Sequence, residues 1–231
     1  MLDLNFSTPR RGFLGRVATA AAAVGLGGLI PTSVEAQDYS STANPATPPD
    51  ASYAAWLNSI KGRYKQVYDA VEPNGGFSLI WAHVFLLTGT KAYGVPESDL
   101  GVVIVHRHSA IPIAFKDEMW AKYKLGEFFK INDNGTKAPA VRNVFANIKE
   151  GDLPFPEAAV EKLVARGVRF GVCNMAITFY SMMFAQQMGM KADDIKADWI
   201  ANVLPGYTVV PSGVVAVNGA QSRGCSYCYA G

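Results

Sequence analysis

From about residue 64 onward, hydrophobic and polar positions follow two patterns in turn. Short apolar or alternating runs, typical of strands, occur at residues 64–69, 100–105, 167–173, 207–210 and 225–229. Helical spacing dominates between them, at residues 77–93, 113–123, 156–166, 175–190, 193–204 and 214–223. Strands that alternate with helices form right-handed crossovers between parallel strands. The pattern therefore predicts a single three-layer α/β domain with a mostly parallel sheet of about five strands, of flavodoxin- or Rossmann-like topology.

Residues 124–155 do not follow this alternation. Turn-forming residues cluster at 132–135, prolines stand at 139 and 154, and the apolar residues are scattered. A segment of this length without regular structure is unusual in a compact domain, and such segments are often functional. We expect an insertion that serves as a lid or as an oligomer contact.

The N-terminal segment has a different pattern. Arg10 and Arg11 are followed closely by Phe13 and Leu14, and an apolar, alanine-rich run extends over residues 17–30. This arrangement is typical of a twin-arginine export signal, and Val34-Glu35-Ala36 has the small residues that a signal peptidase recognises. The apolar run is shorter than the roughly 20 residues of a membrane-spanning helix. We expect residues 1–36 to be a cleaved signal peptide, and the mature protein to be periplasmic without stable membrane insertion.

Composition predicts a flexible linker and excludes two classes of partner. Residues 37–51 are rich in Ser, Thr, Asn, Ala and Pro, which predicts a flexible linker before a domain at 52–231. The formal net charge is +2, and no basic block is present. Nucleic acids and anionic membrane surfaces are therefore not expected as partners.

Cys173 is the first candidate for chemistry, because it stands where a predicted strand becomes a helix. Ligands collect at the carboxyl edge of parallel sheets, and the N–H groups of a helix start favour a thiolate. Asn174 is expected to cap the helix. The alternative is that Cys173 is a small apolar core residue.

Two histidines are expected at the same edge. His106 and His108 leave the strand at 100–105 and are two residues apart, so both side chains point to one side of an extended segment. That spacing suits a metal site or a base with its orienting partner. A structural histidine that ends the strand is an equal alternative. His83, alone in an apolar helix, is expected in the core.

Cys225 and Cys228 form a C-x-x-C pair near residue 231. Three interpretations stay open: a local disulfide, half of a zinc or iron site, and a dithiol that resolves a bond to Cys173. No second C-x-x-C is present to complete a four-cysteine zinc site.

The helix at 175–190 is apolar on nearly every side, which is typical of a core or an interface. Its five methionines could bind a soft metal ion, although methionine at helical spacing usually packs.

Several of these segments together resemble DsrE/DsrF-like domains. The resemblance covers about residues 60–230 and is carried by residues 103–106, 167–173, 204–214 and 221–224. It implies a compact α/β fold that forms oligomers. Some members carry a persulfide on a cysteine after a central strand, and Cys173 occupies that position. The insertion at 124–155 and the export signal depart from the family's pattern.

Three hypotheses follow. The first is a periplasmic DsrE-like protein that binds or carries sulfur as a persulfide at Cys173, assisted by His106 and His108. It would be a carrier more than a turnover enzyme, and would exchange sulfur with a donor or acceptor protein. The second is a metal or small-ligand binding protein that uses the same three residues. The third is a non-catalytic homo-oligomeric scaffold. No further cofactor is implied.

Overall fold

The computed structural model describes residues 50–231. The predicted signal peptide at 1–36 and the linker up to residue 49 lie outside these residues. The first helix of the described residues, α1, spans Ala51–Asn58. Asp50 caps it, because its carboxylate accepts hydrogen bonds from the backbone N–H groups of Ser52 at 2.8 Å and Tyr53 at 3.3 Å.

Five strands form one parallel sheet, which confirms the predicted α/β fold. They are β1 (Tyr64–Ala70), β2 (Leu100–His106), β3 (Arg169–Cys173), β4 (Tyr207–Val210) and β5 (Ser226–Tyr229). Their order across the sheet is β4-β3-β2-β1-β5, and every neighbouring pair is parallel. β2 is buried along its whole length, as expected of a strand covered on both faces.

The helices cover the two faces of the sheet unequally. What we call the thick face carries α2 (Phe77–Tyr93), α3 (Asp117–Tyr123), α4 (Leu125–Phe128), α5 (Val160–Ala165), α6 (Asn174–Met188) and α7 (Ala192–Ala201). The thin face carries α1 and α8 (Gly213–Ser222). Large side chains fill the thick face, including Phe170, Trp120 and Trp199, whereas valines and alanines dominate the thin face.

Two predicted helices begin later than their patterns indicated. The segment at 113–123 is divided, because a 3-10 helix at His108–Ala114 contains Pro112 and the backbone is extended at Phe115. The side-chain amide of Asn143 donates to the carbonyls of Ile113 and Phe115 at 2.9 and 2.8 Å, which satisfies groups that a continuous helix would use. Similarly, residues 156–166 form a 3-10 turn at Pro156–Ala158 before α5 begins.

The segment at 124–155 packs against the thick face. Its buried side chains include Ile131, Val144, Phe145 and Leu153. Arg142 holds it together, since its guanidinium pairs with Asp152 at 2.7 Å and with Asp133 at 2.8 Å. The segment thus contributes to the core, and its role as a lid or oligomer contact stays a prediction.

The described helices include none that is both long and apolar enough to cross a bilayer.

Candidate functional site at the carboxyl edge of the sheet

The topology contains a switch point at the carboxyl edge of the sheet. The chain leaves β1, β2 and β3 toward helices on the thick face, but it leaves β4 toward α8 on the thin face. β3 and β4 are neighbours, so their connections diverge to opposite sides of the sheet. Such a switch point is the usual ligand site of an open α/β sheet. Cys173, the last residue of β3, lies at this point and pairs with Val210 of β4.

The Cys173 thiol is held at the start of α6. Its Sγ accepts a hydrogen bond from the backbone N–H of Ala176 at 3.2 Å, and 6% of the residue is exposed. Cys173 is therefore itself the N-cap, which corrects the expectation that Asn174 caps this helix. The backbone of Cys173 is still extended, so its side chain occupies the capping position, whereas Asn174 is already helical. The buried Oδ1 of Asn174 has no hydrogen-bond partner among the described residues.

His106 lies at the end of β2 and is completely buried on the thick face. Its Nδ1 shares a hydrogen bond with the Tyr207 hydroxyl at 2.9 Å, and its Nε2 shares one with the Ser78 hydroxyl at 3.2 Å. Burial lowers the pKa of His106 from 6.5 to about 3. The imidazole is therefore neutral near pH 7, and both of its nitrogens are engaged.

His108 is exposed and follows β2 with a positive φ of 49°. Its Nδ1 lies 3.3 Å from the Ser109 hydroxyl, and its ring meets the Tyr180 ring of α6 edge-on, with the centroids 5.9 Å apart. It is thus the imidazole that solvent reaches at this edge.

The structure does not join the three predicted site residues by hydrogen bonds. His106 is paired with Val172 across the β2–β3 ladder, one residue before Cys173. The Cys173 sulfur packs at the margin of the core beneath α6. Among the described residues no hydrogen bond links this thiol to either imidazole, and assistance by the histidines stays a prediction.

The sequence patterns did not point to three polar residues that meet on the thin-face side. Arg107 donates from Nε and Nη2 to the two carboxylate oxygens of Asp69 at 2.6 and 2.9 Å. The Tyr227 hydroxyl donates to the same carboxylate at 3.0 Å. The signal was present, since Asp69 is a lone acidic residue at the end of a predicted strand and Arg107 separates the two histidines.

Arg107 also faces the thiol and α8. Its pKa is raised, chiefly by the hydrogen bonds to Asp69, and Cys173 lies near enough to be among the smaller contributors. A Cβ on Gly213 would lie 2.6 Å from the Arg107 Cβ, so the first residue of α8 packs directly on this side chain. A cation that an ion pair holds in place therefore lies near Cys173 at the switch point.

Cys225 and Cys228 are free thiols, which disagrees with the first of the three open interpretations, a local disulfide. Cys225 packs on the thin face and Cys228 against the thick face, because residues three apart in an extended strand point to opposite faces. Burial raises the pKa of both thiols.

The same two thiols are also remote from Cys173. β5 is three strands away from β3, a distance of about 14 Å at the usual strand spacing. They are thus unable to resolve a bond at Cys173 within one folded chain. Within residues 50–231 no group of three or more His, Cys, Asp or Glu side chains is placed to hold a metal ion.

The remaining sequence candidates have clear positions. His83 is buried, its Nδ1 lies 3.0 Å from Nη1 of Arg166, and its ring stacks on Phe155. α6 buries Ile177, Tyr180 and Phe184 but exposes a face that includes Phe179 and Met182, which are 54% and 49% exposed. The helix therefore belongs partly to the core and presents an uncharged apolar surface.

Comparisons with known proteins add little to this geometry. No protein-family model matches the chain, and no curated protein matches it. A solved structure described as a protein of unknown function from Methanobacterium thermoautotrophicum aligns with a TM-score of 0.37 and 19% sequence identity. The alignment covers 72% of this chain and 98% of that one.

Proposed function

We propose that the protein carries sulfur as a persulfide on Cys173 and acts as a carrier more than as a turnover enzyme. The observation that supports this most is the position of Cys173 at the switch point between β3 and β4. There the sulfur accepts the N–H of Ala176 and lies within the field of the Arg107 guanidinium. An N–H donor and a nearby cation both interact more strongly with a thiolate than with a thiol.

The transfer is a displacement at sulfur. The Cys173 thiolate attacks the terminal sulfur of a donor persulfide, a new S–S bond forms, and the S–S bond of the donor breaks. The donor leaves as a thiolate, and the terminal S–H proton stays with the transferred sulfur. No net oxidation occurs. Release to an acceptor thiolate follows the same step in reverse.

The side chains around the thiol have separate roles in this proposal. Arg107 stabilises the negative charge on the attacking and leaving sulfur atoms, and Asp69 and Tyr227 fix Arg107 in position. His108, which is exposed at the same edge, delivers a proton to the leaving thiolate. His106 acts indirectly, because its bonds to Ser78 and Tyr207 fix the end of β2.

Mass spectrometry tests this proposal. The full chain, incubated with a small persulfide and freed of excess reagent, is expected to gain the mass of one sulfur atom on the peptide that contains Cys173. A reductant is expected to remove it. Cys173→Ser should abolish the gain, whereas Cys228→Ser, which removes a partly exposed thiol elsewhere, should leave it unchanged. Equal loading of wild-type and Cys173→Ser protein would contradict the proposal.

We place this activity in the periplasm, reached through the twin-arginine pathway, and the support is the motif at residues 7–14. Replacement of Arg10 and Arg11 by Lys is expected to leave the protein in the cytoplasm with its N-terminal segment uncleaved. Fractionation followed by intact mass measurement checks both points. Replacement of Arg16 by Lys is the matched control and should leave export intact.

The exposed apolar face of α6 supports self-association beside this edge. Phe179, Met182 and Met183 lie on the exposed side of a helix that carries no charged residue. We expect light scattering to show a homo-oligomer, and Met182→Lys to shift it toward the monomer. The matched control is Leu87→Lys, because Leu87 is an equally exposed apolar residue on α2.

A further inference from the structure

The amino edge of the sheet, opposite Cys173, contains a cleft of about 450 Å³. Its lining comes from three places in the chain: residues 59–61 before β1, residues 97–102 at the start of β2, and residues 165–169 between α5 and β3. Cavities of about 300 to 1,000 Å³ are the usual size for small-molecule sites. The volume is therefore sufficient for a small organic ligand.

The cleft exists because β3 starts late. The β2–β3 ladder begins with Val103 opposite Arg169, so no β3 residue is paired with Leu100, Gly101 or Val102. Where a strand would continue, these three residues border the cleft instead. Leu100 and Val102, together with Ile60, supply an apolar part of the lining.

The charged residues of the lining are three cations and one carboxylate. Arg166 and Glu97 neutralise each other through two hydrogen bonds of 2.9 and 2.8 Å. A third contact, of 3.0 Å between Nη1 of Arg166 and Nδ1 of the buried His83, holds the Arg166 guanidinium in place. Glu97 stays ionised, since the bonds to Arg166 lower its pKa. This pair forms a rigid wall of the cleft.

The other two cations, Lys61 and Arg169, have no ion-pair partner in the described part of the chain. The Arg169 Nε donates to the Ser59 carbonyl at 3.3 Å, which orients the guanidinium and leaves its terminal nitrogens available. Lys61 is fixed at its backbone, because its carbonyl lies against Gly101 so closely that a Cβ there would be 2.1 Å from it. The lining thus has a surplus of two positive charges on an ordered frame.

We infer that this cleft binds a small organic anion through an oxyanion group, a phosphate or a carboxylate, held by Arg169 and Lys61. The apolar side of the cleft accepts the uncharged remainder of the ligand. Guanidinium and ammonium groups together suit such oxyanions, because the first supplies paired donors and the second a compact charge. The site lies at the edge of the sheet away from Cys173 and does not depend on sulfur transfer.

Calorimetric titration of the full chain with phenyl phosphate, benzoate and phenol tests the inference. The two anions share an aromatic ring with phenol but differ from it in charge. At least one anion is expected to bind with one-to-one stoichiometry and to weaken as salt is added, whereas phenol should not bind measurably. Binding of phenyl phosphate alone assigns a phosphate ligand, and binding of benzoate alone assigns a carboxylate.

Variants locate the binding. Arg169→Gln and Lys61→Gln should each weaken the affinity about tenfold, the value of one charge-assisted hydrogen bond. Both residues are exposed, so their loss should not prevent folding. Lys91→Gln, an exposed lysine on α2, and Cys173→Ser are the controls and should bind as the wild type does. The inference fails if neither anion binds, if phenol binds as tightly, or if both cleft variants retain the wild-type affinity.

Discussion

The two sides of the carboxyl edge hold their polar groups in contrasting ways. On the thick face, His106 is enclosed and shares hydrogen bonds with Ser78 and Tyr207. Toward the thin face, Asp69 is buried, but the side chain of its partner Arg107 remains 28% exposed beside Cys173. A closed polar network at a strand end fixes the structure, whereas a half-open one can act on a ligand. Of the two imidazoles that the sequence suggested as assistants of the thiol, His106 is on the closed side and His108 is exposed, and the cation Arg107 is on the open side.

The largest expected effect is a loss of stability at low pH, because acid acts on the closed network around His106. The unfolded chain protonates His106 near pH 6.5, but burial holds the pKa of the folded state at about 3. The contribution of His106 to stability is therefore complete above pH 6.5 and is lost as the pH falls from 6.5 toward 3. The loss is on the order of 4 kcal/mol at the acid end. Urea unfolding at a series of pH values measures it.

A neutral replacement separates His106 from the carboxylates that also titrate in acid. His106→Gln can keep hydrogen bonds to both hydroxyls, and it should reduce the slope of stability against pH between 6.5 and 5. His108→Gln removes an exposed imidazole and should leave the slope unchanged. If the slope is the same in His106→Gln and in the wild type, the closed network does not have the role assigned to it here.

On the open side, we expect the loss of Arg107 and the loss of Asp69 to lower the free energy of unfolding by different amounts. Arg107→Met leaves the Asp69 carboxylate buried without its cation, and we expect a loss of about 3 kcal/mol in the free energy of unfolding. Asp69→Asn leaves Arg107 able to reach water, because that side chain is partly exposed, and should cost about 1 kcal/mol. Chemical denaturation at pH 7 compares the two. Equal losses would show that Arg107 is as enclosed as His106.

The same pair should change the reactivity of Cys173 in opposite directions. Arg107→Met removes the cation beside the thiol and should slow its reaction with an anionic aromatic disulfide about threefold to tenfold. Asp69→Asn removes the charge that neutralises Arg107 and should accelerate the reaction. The rate is followed by the released thiolate in Cys225→Ser/Cys228→Ser protein, so that Cys173 alone responds. Arg169→Gln, at the other edge of the sheet, should have no effect.

Strand and helix positions could be predicted because they depend on periodicity over many residues. The helix at 77–93 has the observed bounds of α2, and each of the five predicted strands is present. The division of the helix predicted at 113–123 depends instead on Pro112 and on the distant side chain of Asn143. A contact between residues 30 apart leaves no periodic signal in either segment.

The candidate site was only partly predictable for a related reason. The position of Cys173 at a strand end could be read locally, and the structure places it there. The pairing of Arg107 with Asp69 requires knowledge that β1 and β2 are neighbours in register. The pairing of His106 with Val172 rather than with Cys173 depends on the register of the β2–β3 ladder, which no local pattern reports.

The smallest expected effect concerns the same alternation in β5, where Cys225 and Cys228 point to opposite faces. A disulfide between them would require one side chain to cross the strand, so the folded protein should keep both thiols reduced even after exposure to oxidised glutathione. The urea midpoint should be the same with and without reductant, and Cys228→Ser should change the free energy of unfolding by less than about 0.5 kcal/mol, since this side chain is only partly buried. Thiol counting on the oxidised sample gives the direct answer: three titratable thiols in denaturant are expected, in line with the three free cysteines. A count of one, with a midpoint that falls on reduction, would mean that the end of β5 separates from β1 in solution and that the two faces of the sheet are less strictly divided at this edge.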